Sequence, residues 1–457
     1  MNVGHYVEHR HCKKSYIDVK RSNVLNVSRR NIPNKNKQNF LITTSTCSSS
    51  PKNSFNEHNI SRLDDRSKIL KNFWYCAALS VDVKIKALKP VRMLGRHLVL
   101  FRDASDKQIY CLEDSCPHRR APLSNGWIYE SNESQMSLAK TRQKTHTHVV
   151  CPYHGWSFDG TGKVRNIPSI PLQHPLPQDQ LISTFDIEEK SGFVWLFFGS
   201  PNIPREDRPK IPDIDEFDQL DSHGQKVWAT AYGEIEIDAP HFNVFDNAID
   251  ISHIHYLHEF GNKNTPEVKN IIMEKKIDNP YSCSGTLEIQ NKPVNVFWEW
   301  TKTTRVPVAF TAFLPSTSAI KIVLGQGVEM ITFVNTVPID KNKSVNRFCL
   351  LRNFARSPLL DFIARRAMLE VLSEDKTMLE SLIPAYECDA FDENDENEND
   401  ENESDSLNLY GASSINDVYE RKANKYRNEI SVMTDRPQIA FRKLRKSWID
   451  LGYLVDM

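Results

Sequence analysis

The sequence predicts an α+β chain: a small all-β domain, then a helix-grip domain in which an antiparallel sheet holds a long C-terminal helix. Three observations predict it. From Asn72 to Phe198 the chain runs in short apolar segments broken by turns, the alternation of a small antiparallel β domain. A Pro-rich stretch, Pro201 to Pro212 (PNIPREDRPKIP), then interrupts the pattern. Beyond it, strand-length runs give way to helical apolar spacing over Leu359–Leu382 and again over Ile415–Leu454. The 457 residues accordingly divide into a tail (1–67), the β domain (68–200), a linker (201–215) and the second domain (216–457), with an acidic insertion at 387–406.

The tail is polar and basic. Residues 1–56 carry ten Lys or Arg against two acids, Glu8 and Asp18, and include TTSTCSSS at 43–50. Such a segment has too little apolar surface to order itself. It has the composition of an organelle transit peptide or of a plain disordered tail, while the lack of an apolar core segment excludes a secretory signal. At the other end, residues 387–405 hold eleven acids and no base, as a solvated insertion would. Without these two stretches the chain is close to neutral, which gives no sign of a nucleic-acid surface. Nine Cys without a repeated spacing exclude a secreted disulfide framework and fit a reducing compartment. No apolar run approaches the length of a transmembrane helix.

In the β domain, Phe73-Trp74-Tyr75, Arg92-Met93-Leu94, His97–Phe101 and Ile109–Leu112 read as strands, with DASDK (103–107) as a turn between the last two. Two loops follow: Cys116-Pro117-His118-Arg119-Arg120-Ala121 and Cys151-Pro152-Tyr153-His154-Gly155-Trp156. Thr147–Val150 leads into the second, and Asp159-Gly160-Thr161-Gly162 turns the chain back toward Val164, so both loops lie at hairpin tips. Each offers one Cys and one His. A [2Fe–2S] cluster with two thiolates on one iron and two imidazoles on the other takes this donor set, and imidazole raises its potential to roughly −150 to +300 mV. A structural zinc site is the alternative, although zinc fingers pair Cys with Cys and His with His along the chain. Residues 130–146 read as an insertion between the loops, with His146 and His148 belonging to it rather than to the metal.

The second domain shows strand-like runs at Trp228–Ile237, Asn270–Ile277, Gly285–Gln290, Asn295–Lys302, Val308–Leu314, Ile320–Leu324 and Val328–Val337. Between the first two lies Asp246-Asn247-Ala248-Ile249-Asp250-Ile251-Ser252-His253-Ile254-His255-Tyr256-Leu257-His258. His253 and His258 can face one centre if the helix ends between them. A carboxylate from elsewhere would then complete a facial triad for Fe(II) with positions open to O2 and substrate. A His-rich helix end without metal is the plainer alternative.

Taken together, the two motifs resemble those of the Rieske non-haem iron oxygenases, over about residues 70–457. The family's catalytic domain carries Asp-x-x-His-x4-His, matched by Asp250, His253 and His258. The resemblance implies that Cys116, His118, Cys151 and His154 bind the cluster and that His253 and His258 bind a mononuclear iron. It implies a third iron ligand from the Glu374-Asp375-Lys376 segment, Asp375 first and Glu374 second. Asp250 would be the carboxylate bridging a cluster His of one subunit to an iron His of its neighbour, which implies a homotrimer. Asn247 would support the site through its amide, and His255 would be structural. Ala121 and Tyr153 stand where the quinol-oxidising Rieske proteins have an extra disulfide, which disfavours that class.

The reaction implied is O2-dependent oxygenation of a small molecule, with electrons from a ferredoxin or a reductase. The Phe73-Trp74-Tyr75 context and the basic tail resemble the chlorophyllide a oxygenase and pheophorbide a oxygenase branch. That points to a hydrophobic or tetrapyrrole-like substrate and to the plastid, with the cytoplasm as alternative. Phe297, Trp298, Trp300, Phe310 and Phe313 are candidate pocket aromatics. The competing function is a Rieske electron-transfer or redox-sensing protein without the oxygenase iron.

Overall fold

Phe73–Leu79 (FWYCAAL) is buried along its whole length, so both of its faces must find cover. The chain is arranged to supply that cover. The computed structural model describes residues 68–130, 147–171, 173–177, 179–274, 279–290, 305–325, 327–382 and 431–455. The tail at 1–67, His146, the aromatics Phe297, Trp298 and Trp300, the expected Asn295–Lys302 strand and the acidic stretch 387–406 lie outside them.

The N-terminal part contains β1 (Ile69–Leu70), β2 (Phe73–Leu79), β3 (Leu88–Met93), β4 (Arg96–Arg102), β5 (Ile109–Glu113), β6 (Trp127–Glu130), β7 (Thr147–Val150), β8 (Ser157–Phe158), β9 (Val164–Asn166), β10 (Thr184–Phe185), β11 (Ile187–Lys190) and β12 (Phe193–Phe198). Among the described residues, β2 to β12 form three antiparallel sheets ordered β10-β5-β4-β3, β6-β7-β8-β9 and β11-β12-β2. The second sheet carries both Cys/His loops at its end. One core of its own, including Phe101, Leu123, Val149, Phe158 and the two loop cysteines, lies under them. His148 is a correction to the sequence reading. It is a buried residue of β7 opposite Tyr129, not part of the insertion, because all four residues of that strand are covered and no alternation marks it.

The linker is strapped to this part. Trp74 Nε1 donates to the Pro209 carbonyl at 3.0 Å, and the Arg208 guanidinium lies 4.1 Å over the Phe197 ring.

The second part is built on a seven-stranded antiparallel sheet. Its strands are β13 (Ala229–Ile237), β14 (Val268–Met273), β15 (Ser282–Gln290), β16 (Arg305–Phe313), β17 (Thr317–Gly325), β18 (Val328–Asp340) and β19 (Lys343–Arg352), in the order β13-β19-β18-β17-β16-β15-β14. Strand β19 is absent from the sequence reading. It sits between β13 and β18 and is covered on both faces, so it shows no alternation, and its polar residues are satisfied internally. Ser344 Oγ donates to the Ala239 carbonyl, Asn346 accepts from Thr336 Oγ1, and Arg347 donates to Glu234.

Among the described residues, four α-helices accompany the sheet: α1 (His241–Ile249), α2 (Ile254–Leu257), α3 (Asp361–Leu379) and α4 (Arg436–Asp450). Helix α1 packs on β17, β18 and β19 and touches both α3, which lies on β13, and α4, which lies on β14 and β15. Of the Ile415–Leu454 helical expectation, residues 415–430 lie outside the described residues, and the remainder is corrected at both ends. Pro437 opens α4 in the first helical turn, and the chain after it forms β20 (Leu454–Val455), paired with β1.

Candidate metal centres

The two Cys/His loops are copies of one backbone design. In the first, the Cys116 N–H donates to the Ala121 carbonyl at 2.9 Å and the Arg120 N–H to the Cys116 carbonyl at 2.8 Å. In the second, Cys151 N–H reaches the Trp156 carbonyl at 2.8 Å and Gly155 N–H the Cys151 carbonyl at 3.1 Å. The residue four after each Cys takes a left-handed conformation, with φ +60° at Arg120 and +73° at Gly155. One loop pays for it with a non-glycine residue. The one-residue difference in His spacing is absorbed inside an otherwise equal turn.

Both sulfurs are buried and unbonded to each other, while the His154 ring is exposed. The His118 and His154 rings lie 4.5 Å apart between centroids, with Trp156 stacked on His118 at 4.9 Å and Tyr153 beside His154 at 4.0 Å. Burial pushes the Cys116 thiol up to about 11, and the Cys151 thiol beside it adds to this, so a thiolate here needs a positive partner. His118 Nδ1 is buried without a hydrogen-bond partner. Two buried thiols and an orphaned imidazole nitrogen fit an iron–sulfur cluster. A zinc ion needs its donors around a single point. Among the described residues, only His253, His258 and Asp375 bring three such donor atoms within 4.8 Å of one another.

That triad is assembled by a break in a helix. Helix α1 ends at Ile249, and Asp250 Oδ1 accepts from both Ser252 N–H and Ser252 Oγ, each at 2.7 Å, which turns the chain out of helix. A single helical turn, α2, follows, with His253 before it and His258 after it. Five residues thereby bring both rings to one side. His253 Nε2 and His258 Nε2 are 3.3 Å apart, and Asp375 Oδ1, from α3, stands 3.3 Å from the first and 3.4 Å from the second. Neighbouring donors on one face of an octahedral ion bound at about 2.1 Å would be about 3 Å apart, so the triangle fits. Asp375 Oδ1 is buried and accepts no hydrogen bond. Burial disfavours a charged His253, but the Asp250 and Asp375 carboxylates outweigh it and raise its pKa to about 9. The site calls for positive charge.

The other expected residues are distributed around this point. Asp250 Oδ2 lies 3.6 Å from His253 Nδ1, behind the ring and away from the triad centre. Burial would raise its pKa, but the neighbouring His253 imidazole and the hydrogen bonds from Ser252 hold it down. Glu374 does not enter the triad; its Oε2 stands 2.7 Å from His258 Nδ1. Asn247 accepts the Asp250 N–H on its backbone carbonyl at 3.1 Å. His255 is buried and turned to Asn262, whose N–H meets its Nδ1 at 3.4 Å. Phe310 packs with Ile251 and Ile320 and Phe313 lies in the main core, so both are first of all packing residues.

The Rieske [2Fe-2S] domain family matches residues 73–178, and the vanillate O-demethylase oxygenase C-terminal domain family matches residues 237–408. The chain belongs to the Rieske non-haem iron oxygenases. A Rieske oxygenase uses a [2Fe–2S] cluster and a mononuclear iron, and the two centres described above supply a donor set for each. Among its relatives are a 4beta-methylsterol monooxygenase of Methylococcus capsulatus, 30% identical over 45% of this chain, and the chloroplast protein TIC 55 of Pisum sativum, 27% identical over 41%. A chlorophyllide a oxygenase of Chlamydomonas reinhardtii is 31% identical over 41% of this chain. These matches span 49%, 29% and 24% of the relatives' own length. A crystal structure of dicamba monooxygenase bound to dicamba shares the fold of this chain, with a TM-score of 0.61 over 84% of this chain and 99% of that one, at 19% identity. The presence of the oxygenase domain disfavours the electron-transfer-only reading.

Proposed function

We propose that this chain catalyses O2-dependent oxygenation of a hydrophobic or tetrapyrrole-like small molecule. The observation that carries the reading is the convergence of His253 Nε2, His258 Nε2 and Asp375 Oδ1 in a chain that also holds the paired Cys/His loops. Cys116, His118, Cys151 and His154 hold the cluster, and His253, His258 and Asp375 hold the iron. When bound there, such an iron would supply reductive O2 activation for attack on a C–H bond or an arene, with the cluster as its source of electrons. Three donors from this chain would hold an iron on one face, and its remaining positions would be left for O2 and substrate. Asp250 takes the Nδ1 side of His253, so it can join that ring to a cluster imidazole presented by another protomer; the exposed His154 ring is suited to this. A homotrimer, with a ferredoxin or a reductase as donor, follows from that handover.

The substrate class rests on the names of the relatives, which include a sterol and a chlorophyllide oxygenase. A plastid location is supported by the basic tail and by relatives named as chloroplastic, among them TIC 55 and chlorophyllide a oxygenases, although bacterial relatives match as well. Among the described residues, no helix is long and apolar enough to cross a membrane. Metal analysis with EPR, on the wild-type chain and on His253→Ala, tests the function. About three irons per chain are expected in the wild type, with one lost and the Rieske signal kept in the variant. A wild-type chain with only the cluster irons and no O2 uptake would return the redox-carrier reading.

A further inference from the structure

The two iron-facing imidazoles are backed unequally. His253 Nδ1 is 3.6 Å from Asp250, beyond hydrogen-bond reach, whereas His258 Nδ1 is 2.7 Å from Glu374 Oε2. Asp250 Oδ1 is already occupied by Ser252 and only Oδ2 faces the ring, while for Glu374 the His258 ring is the contact found. Glu374 and Asp375 are consecutive residues of α3, and they meet opposite nitrogens of the same ring: Glu374 at Nδ1, Asp375 at Nε2, 3.4 Å away. The helix that brings them is itself fixed to the sheet. Lys376 Nζ donates to the Glu236 carbonyl at 2.9 Å, and the Asp238 N–H donates to Glu380 at 2.8 Å.

We propose that Glu374 is a positioning residue for the iron: it accepts the Nδ1–H of His258, fixes the ring in the Nε2-ligating tautomer and thereby sets the iron affinity of the triad. The inference rests on the oxygenase reading above, and it assigns the two carboxylates different work. Asp250 remains free to link His253 to another protomer, and Glu374 holds the triad together within one chain. A ring that can rotate, or that protonates Nε2 in place of Nδ1, loses its lone pair at the centre; a carboxylate on Nδ1 prevents both. Glu374 is a third exposed, so substitutions there need not disturb the core.

The test measures Fe(II) binding to the cluster-loaded protein by competition with a chromophoric chelator, alongside the EPR spectrum of the ferrous nitric oxide adduct. Glu374→Ala is expected to weaken Fe(II) binding by about 10–100-fold and to broaden that spectrum, with cluster absorbance and melting temperature unchanged. Glu374→Gln, which keeps an acceptor without the charge, should recover part of the affinity. Glu374→Ala binding iron with the wild-type constant and spectrum overturns the proposal. So does a loss of iron seen only together with loss of the cluster or of the fold. His253→Ala, run in parallel, separates this outcome from failure of the oxygenase reading, in which the wild type itself would bind no Fe(II) at the triad.

Discussion

At Asp250 the carboxylate has two oxygens with separate duties. Oδ1 is bound by Ser252 and shapes the turn, and Oδ2 faces His253. Asp250→Asn keeps an oxygen for Ser252 and so should keep the turn, both metals and the fold. What it loses is the charge on His253. Turnover is expected to drop by about 10–100-fold at unchanged iron content, measured as product formed per iron; an Asn variant as fast as wild type would remove Asp250 from the relay. Gly155 is a second residue with a local reason. Its φ is +73°, and a Cβ there would meet Pro168 Cγ at 3.0 Å, so Gly155→Ala combines left-handed strain with a contact in the cluster loop. A cost of about 1–2 kcal/mol is expected, read as a lower ratio of cluster absorbance to protein. Arg120, at the matching place of the other loop, already carries that strain.

At the scale of elements, what was legible in the sequence was local. The cluster loops and the Asp250–His258 turn each fall within a dozen residues, so spacing alone brought their donors together. The choice between Asp375 and Glu374 was not local. Neighbours on a helix point about 100° apart, and which one reaches the iron depends on the rotation of α3 against β13, set by Lys376 and Glu380. Strand β19 escaped because the pattern that reveals a strand, one wet face and one dry, is missing where both faces are covered. Helix α1 yields a prediction in pH. His241, at its first position, is fully buried; burial, helped by the Arg445 charge, lowers its pKa to about 3. The unfolded chain takes up a proton near pH 6.5 that the folded chain refuses until about pH 3. Stability is therefore complete above pH 6.5 and falls as pH drops toward 3. Between pH 7.5 and 5.0 this residue alone should remove about 2 kcal/mol. Urea unfolding at the two pH values should show that difference shrinking in His241→Leu, whose side chain has no proton to take up; an equal loss in both proteins would refute the assignment.

For the whole molecule, the boundary that composition suggests near residue 200 does not divide the core. One buried cluster runs from β2 and β12 into the large sheet, with Phe193 5.8 Å from Phe333 and Phe217 5.2 Å from Phe333. Arg347 of β19 crosses the same seam. It is 6% exposed, donates to the Cys76 carbonyl at 2.9 Å and also pairs with Glu234. The end of the chain adds to the closure, since β20 pairs with β1. The smaller core under the cluster loops is tied to the large one through β4, whose residues alternate between the two (Leu98 and Leu100 in the large core, Val99 and Phe101 in the small), so removing the cluster-bearing part would expose apolar surface on both sides. We expect one unfolding transition, with bleaching of the cluster absorbance and loss of far-UV ellipticity at the same denaturant concentration. Phe193→Ala should lower both together by about 3–5 kcal/mol, the range for a fully buried aromatic. If instead the cluster signal of that variant moved alone while the ellipticity midpoint stayed in place, the β2–β12 sheet would have to be energetically independent of the seven-stranded sheet.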